Sequence, residues 1–264
     1  FTGDQGGQLY IRGGSPVQNK VLMDGMTIYS PFHSIGLFSV FDADLIKATD
    51  VYTGGFSAEY GGRISSIMDI KTKDGNKKKI KGKLSANTFG SKLLIEGPLK
   101  KGGGVTYIFS GKTSYLDKTS DLLYDLPMPY SYTDLYGKLT FNSNNGSKAN
   151  IFGFNFQDNV NYQNVSQLQW NSNGIGSEFI LIPGNSPVLI EGNFAFSSYY
   201  ISLDEASSPI RESSVSGGSM GFDFTSFQPK GKVKYGFDVY GINTKFKTYN
   251  SANGKVELNE SNSE

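Results

Sequence analysis

The sequence predicts a mainly β protein. A small mixed α/β globule occupies residues 1–76, and the first strands of an antiparallel transmembrane β-barrel occupy 77–264. Three observations carry this. Aromatic residues and glycine are abundant (Phe 19, Tyr 16, Gly 33) while 19% of residues are charged, a composition that suits short strands and tight turns. Beyond residue 76, apolar and polar side chains alternate with a period of two, the mark of a sheet with one apolar face. The connections between these segments alternate between short and long, as in barrels with tight turns on one side of a membrane and loops on the other.

Composition removes several functions. A formal charge of +1 gives no electrostatic case for nucleic acid. There are no cysteines and one histidine, so disulfides, thiolate chemistry and a His/Cys metal site are out of reach, and no cofactor is expected. No apolar run reaches the roughly 18 to 20 residues of a membrane helix, but barrel strands of about 10 residues carry only alternation as their signal. The chain reads as part of a longer protein, beginning at Phe1 without an initiator Met.

In chain order, Leu9–Arg12 reads as a short strand closed by Gly13 and Gly14. Val21–Met23 reads as a second strand, turned by Asp24-Gly25, a strong tight-turn pair. Met26–Tyr29 returns. Asp42 is placed to cap one helical turn through Ile46. Thr49–Thr53 extends into Gly54-Gly55, and Gly61-Gly62 turns the chain into the alternating strand Ile64–Lys73.

These residues carry a resemblance. Ile11-Arg12-Gly13-Gly14, Val21 through Met26, Asp44-Leu45-Ile46 leading to Val51-Tyr52-Thr53-Gly54-Gly55, Glu59-Tyr60-Gly61-Gly62-Arg63 and Ile67 through Lys73 stand in the order seen in the plug domain of TonB-dependent outer-membrane receptors. The phrase Pro31–Phe41 resembles the Bacteroidetes type. The resemblance is specific over residues 9–76 and architectural beyond. It implies a receptor in the outer membrane of a Gram-negative bacterium that imports a scarce bulky solute (a siderophore, cofactor or oligomer) and is not an enzyme. Its implied partners are outer-membrane lipid, TonB through a segment outside this sequence, and a surface lipoprotein or other outer-membrane subunits. Two alternatives stand beside it: a receptor-like barrel serving as a structural subunit of a larger complex, and a secreted β-sandwich adhesin or glycan-binding module.

Past residue 76, Ile80, Leu84 and Ala86 share a face against Lys79, Lys81, Lys83 and Ser85. Leu135, Leu139 and Phe141 oppose Asp134, Lys138, Thr140 and Asn142. Phe152, Phe154 and Phe156 oppose Asn155 and Gln157, and Val233, Tyr235, Phe237 and Val239 oppose Lys232, Lys234 and Asp238. Short turns fall at 98–104, 143–147, 183–187 and 229–231; longer polar segments fall at 117–133, 158–173, 204–214 and beyond 249. These give roughly nine or ten strands of the about 22 that a lumen holding a folded plug requires.

The site residues follow from both readings. The glycine turns at Gly13, Gly14, Gly25, Gly54, Gly55, Gly61 and Gly62, with Asp24 and Tyr60, form the plug signature. They lack the following helix and Lys-Ser/Thr of a phosphate loop. In the resembled family, plug arginines pair with barrel glutamates, which nominates Arg12 and Arg63 against Glu96 and Glu191. Tyr124, Tyr130, Tyr162 and Trp170 are candidates either for outer-loop ligand contacts or, with Tyr115 and Tyr132, for an interfacial aromatic girdle. His33 has no legible catalytic or metal partners and is expected to pack a plug loop. Asp42 and Asp44 lack the six to eight oxygens of a calcium site; no metal is expected.

Overall fold

The computed structural model describes residues 10–263 except 16–17, 34–35, 37, 57–59, 62–64, 126–127, 163–164, 185, 207 and 251–254; for 124, 248–250 and 255–263 it describes the backbone only. The N-terminal part is a four-stranded sheet. Strand β1 (Asn19–Met23) turns at Asp24-Gly25 into β2 (Met26–Thr27); the two-stranded ribbon β3 (Phe32–His33) and β4 (Phe38–Ser39) follows; β5 (Ile46–Tyr52) and β6 (Ser66–Thr72) complete the sheet in the order β2-β1-β6-β5. β1 runs parallel to β6, and β5 antiparallel to it. β6, paired on both edges, buries Ile67 and Ile70 fully.

Two local expectations fail here. Ile11 to Gly14 forms an isolated bridge around a turn at Arg12 and Gly13 rather than a strand. Asp42 does cap a turn, its Oδ1 accepting the Asp44 N–H at 2.9 Å, but the chain enters β5 at Ile46 instead of a helix, because β6 offers Ile46–Tyr52 a free edge.

The rest of the chain is one antiparallel ten-stranded sheet in simple sequence order. It comprises β7 (Lys81–Ala86), β8 (Gly90–Pro98), β9 (Val105–Ser114), β10 (Tyr130–Asn142), β11 (Lys148–Tyr162), β12 (Ser166–Leu181), β13 (Val188–Glu205), β14 (Ser208–Gln228), β15 (Gly231–Asn250) and β16 (Lys255–Ser263), with the helix α1 (Leu116–Tyr124) between β9 and β10. No second large sheet faces it among the described residues, which removes the β-sandwich alternative. One face is apolar and exposed, carrying Leu135, Leu139, Ile151, Ile175, Phe194, Phe196, Met220, Val233, Phe237 and Val239. The other packs on the plug. Among the described residues no helix is long and apolar enough to cross a membrane.

The exposed apolar band has a sharp upper edge. Asn155, Asn173, Ser198, Ser216 and Asn243 are neighbours in register across five strands, and beyond this row the outer face is polar. On β15 the band runs from Val233 to Gly241, about nine residues, the length a tilted strand needs to cross a bilayer. The strands then continue well above it. The segments expected to be long outer loops at 158–173 and 204–214 are therefore hairpins of regular strand, joined across 163–165 and 206–207. Above the band the outer face is polar while the inner face still buries Val160 and Trp170. At 117–133 the expected loop holds α1, anchored by the buried Leu116.

A second correction concerns β11. Phe152, Phe154 and Phe156 do share a face, but it points inward. Together with Leu94, Ile108, Tyr136, Trp170 and Ala195 of the wall they form one core with Val21, Met23, Met26, Ile28, Val40, Leu45 and Ile70 of the plug. The plug thus has no separate core on this side.

Candidate functional site: the seam between plug and barrel wall

The seam is polar around its apolar centre, and its charges run opposite to the expected sense: the plug supplies carboxylates and the wall supplies lysines. The period of two explains the wall. Lys83, Lys92, Lys112, Lys138 and Lys148 lie at inward positions of β7 to β11, alternating with the outward apolar set. Lys83 Nζ donates to both Asp44 oxygens at 2.8 and 2.9 Å. Lys92 Nζ donates to Asp42 Oδ1 at 2.9 Å and to Asp44 Oδ2, while Ser110 Oγ donates to Asp42 Oδ2 at 2.9 Å. Lys112 Nζ donates to the Ser39 carbonyl at 2.7 Å. Lys148 Nζ donates to Asp74 at 3.0 and 2.9 Å. The hydrogen bonds from Lys83 and then Lys92 hold the Asp44 carboxyl down at about 2. Burial alone would raise Asp74, but the hydrogen bond and charge of Lys148 outweigh it and hold it low.

At the middle of the seam the Asp24-Gly25 turn docks on the wall. Asp24 has φ +48° and Gly25 φ +81°, a pair of left-handed residues that aspartate and glycine tolerate. The turn places the Asp24 carboxylate, 1% exposed, against three donors: the Thr72 N–H at 2.9 Å, Thr72 Oγ1 at 2.6 Å and the Tyr136 hydroxyl at 2.6 Å. The buried Lys138 ammonium stands 3.7 Å from Asp24 and Asp74, 4.0 Å from Glu178 and 3.1 Å from Thr72 Oγ1. Just beyond, Met26 rests where Gly174 leaves room: a Cβ there would lie 2.2 Å from Phe154 and 2.9 Å from Met26 Sδ.

The apex of the plug carries the arrangement least visible in the sequence. His33 is fully buried, its ring stacked between Tyr132 (4.2 Å between centroids, 8°) and Trp170 (5.1 Å, 9°). Its Nε2 lies 2.9 Å from Asp134 Oδ2 and its Nδ1 3.4 Å from Asp158 Oδ2. His33 therefore seats the plug on the wall rather than packing within a plug loop. Sequence reasoning missed Asp134 and Asp158, whose only signal is their inward parity beside Tyr132 and Trp170.

The nominated residues distribute as follows. Arg12 is exposed, and its Nη1 donates to the Thr53 carbonyl at 2.7 Å. It ties two plug segments together and meets neither Glu96 nor Glu191. These two glutamates make no ion pair among the described residues. The lysines of the wall are already answered by plug aspartates, which removes the need for the arginine–glutamate pairing. Arg63 and Gly62 lie outside the described residues. Gly14 closes against Ser65, whose Oγ donates to the Ile11 carbonyl at 2.7 Å. Gly13, Gly54 and Gly55 have positive φ, and Gly61 has open space at its Cα. The Tyr60 hydroxyl donates to Asp69 Oδ2 at 3.2 Å. Trp170 is a buried wall residue at 7% exposure, neither a loop contact nor part of a girdle, and Tyr132 likewise faces inward. Tyr130 and Tyr162 meet at the inner rim, hydroxyl to hydroxyl at 3.2 Å, where both remain accessible. The Tyr124 side chain lies outside the described part. Tyr115 is tied to the β7–β8 turn by hydrogen bonds to Asn87 and Gly90 carbonyls. Among the described residues no group of His, Asp and Glu is arranged to hold a metal.

Comparison with known proteins agrees with this fold. Residues 1–66 match the family model of the TonB-dependent receptor plug domain. Among solved structures, the FrpB iron transporter from Neisseria meningitidis aligns with a TM-score of 0.67 at 15% identity, over 93% of this chain and 44% of that one. The siderophore receptor PirA from Acinetobacter baumannii aligns at 0.63 and 15%, over 94% and 43%. The hemophore receptor HasR of Serratia marcescens, in complex with its hemophore HasA and heme, aligns at 0.64 and 10%, over 92% and 38%. The chain spans about half or less of the length of these structures. No curated protein matches the sequence.

Proposed function

We propose, for a chain that joins a TonB-dependent receptor plug domain to the wall of an outer-membrane receptor barrel, that the whole protein imports a bulky solute through this barrel by energised displacement of the plug. The observation that carries the reading is the seam itself. The plug packs on the inner face of the wall through a shared core, so on this reading a solute passes only if the plug shifts, and the seam is built of ion pairs, hydrogen bonds and small apolar contacts that separate without breaking a covalent bond. The accessible Tyr130 and Tyr162 at the inner rim are the proposed first contacts for the solute, because aromatic faces bind both planar chelators and sugar rings. TonB is the proposed source of the pull. The solved receptors it resembles are named for ferric citrate, iron, siderophores and a heme-carrying hemophore, which makes iron-bearing solutes the first class to test.

The test is uptake by whole cells. Deleting the gene should abolish accumulation of at least one labelled iron-bearing solute, and collapsing the proton gradient should do the same in cells that retain it. A protein that needs detergent for extraction but supports no energy-dependent uptake of any solute would instead be a structural subunit of a larger outer-membrane assembly.

A further inference from the structure

We infer that Tyr132, Asp134, Asp158 and Trp170 form a binding slot in the barrel wall for a planar nitrogen cation, and that the plug's own His33, held as imidazolium, is its resident ligand. The inference does not depend on which solute the receptor carries. The slot has the parts such a site requires. Two aromatic faces lie parallel to the guest ring on either side, at 4.2 and 5.1 Å, where a cation is attracted to the π-clouds. Two carboxylates from different strands address opposite ring nitrogens, at 2.9 and 3.4 Å.

Proton counting decides the charge of the guest. A neutral imidazole has one N–H and one bare nitrogen, so it must turn a lone pair toward one of two carboxylates; imidazolium presents an N–H to each, to Asp134 as a hydrogen bond at 2.9 Å and to Asp158 as an ion pair at 3.4 Å without hydrogen-bond alignment. The charges around the slot agree. From β10 come Asp134 and the Tyr132 hydroxyl, from β11 Asp158, from β9 Lys112, whose Nζ is 2.9 Å from Asp134 Oδ2, and from β13 Tyr199, packed on Trp170. Two carboxylates and one ammonium leave one negative charge in a buried place, and a positive guest cancels it. Burial pulls the His33 pKa down, but the bonds and charges of Asp134 and Asp158 outweigh it, so the pKa lies above the usual histidine value of 6.5. A raised folded-state value means that the clasp contributes fully below pH 6.5 and is lost as pH rises through that raised value.

The slot lies above the upper edge of the apolar band, at the level of Asp158 and Trp170, on the side that faces the medium. It therefore fastens the apex of the plug, joined to the lysine seam below through Lys112, and gives this end of the plug a proton-dependent hold.

Two measurements on the whole protein in detergent test this. In protein labelled with ¹⁵N-histidine, the resonance that disappears in His33→Gln should report imidazolium at pH 7 and titrate above pH 6.5; a neutral ring at pH 7, or titration at or below 6.5, overturns the proposal. In His33→Gly the slot is vacated, and added imidazole at pH 6.5 should raise the melting temperature by several degrees, but should not do so when Asp158→Asn is also present. An equal shift in both variants, or none in His33→Gly, overturns it. The first measurement stands even if the glycine variant does not fold.

Discussion

Asp24→Asn probes the docking of the plug most directly. The backbone demand at this position is a φ of +48°, which asparagine tolerates, so the turn should survive and the change isolates the carboxylate. Asp24 now accepts from the Thr72 N–H, Thr72 Oγ1 and the Tyr136 hydroxyl, with Lys138 at 3.7 Å. Asparagine keeps one carbonyl acceptor but presents an NH₂ group where a second acceptor oxygen stood. One or two charge-assisted bonds, each contributing about 1.5–3 kcal/mol, become neutral or are lost. Lys138 retains Asp74 and Glu178, which limits the damage. The net loss should be about 2–3 kcal/mol of local stability, or roughly 30- to 150-fold in an opening equilibrium. Hydrogen exchange reads this at the amides of Ile67 to Ile70 in β6, away from the Thr72 amide that loses its acceptor directly. Exchange there should accelerate by that factor, while strand β15, exposed on both faces over 231–240, stays unchanged. An acceleration below about twofold would show that the Asp24 carboxylate does not anchor the plug, and the account of the seam would fail with it.

Gly174→Ala places a Cβ against Phe154 and Met26. The overpacking should cost about 1–3 kcal/mol and lower the thermal midpoint of the plug, seen by calorimetry, while barrel assembly in the membrane persists. Lys138→Met removes the cation from the centre of three carboxylates; leaving buried charge unpaired should cost about 3–5 kcal/mol, more than Lys83→Met at the exposed end, and the two melting curves compared directly will show the order. Asp44 has its pKa lowered from 3.8 to about 2, so its contribution is complete above pH 3.8 and is lost as pH falls through about 2. The wild type and Asp44→Asn should therefore differ in melting temperature at pH 5 and converge near pH 2.

Alternation made the barrel legible. The apolar set of Leu135, Leu139 and Phe141 and that of Val233 to Val239 were assigned to the correct face because one side of those strands meets lipid and the other meets charge. The same rule misplaced Phe152, Phe154 and Phe156, since a period of two groups residues on a face without saying which side that face meets. On β11 the plug is the greasier neighbour. The outer hairpins read as loops because polar residues dominate there, although Val160 and Trp170 keep the inward parity and are buried. The seam was less accessible still. Asp134 stands 101 residues from His33, and only the register of β10 on β11 sets Tyr132 opposite Asp158 with Asp134 two residues along the same face. The arginine–glutamate pairing carried over from the resembled family fails for Arg12 because this wall already presents lysines, which call for acidic rather than basic partners on the plug.

The core shared across the seam makes the device self-closing. Phe152, Phe154 and Phe156 are buried in a core that the plug completes with Val21, Met23, Met26 and Ile70. Any displacement that opens a route beside β11 wets them, at about 1.5–3 kcal/mol for each ring fully exposed. On the proposed function, work must be supplied on the way out; on the way back the solvent would do it, and the plug would reseat when the pull ends with no second input of energy.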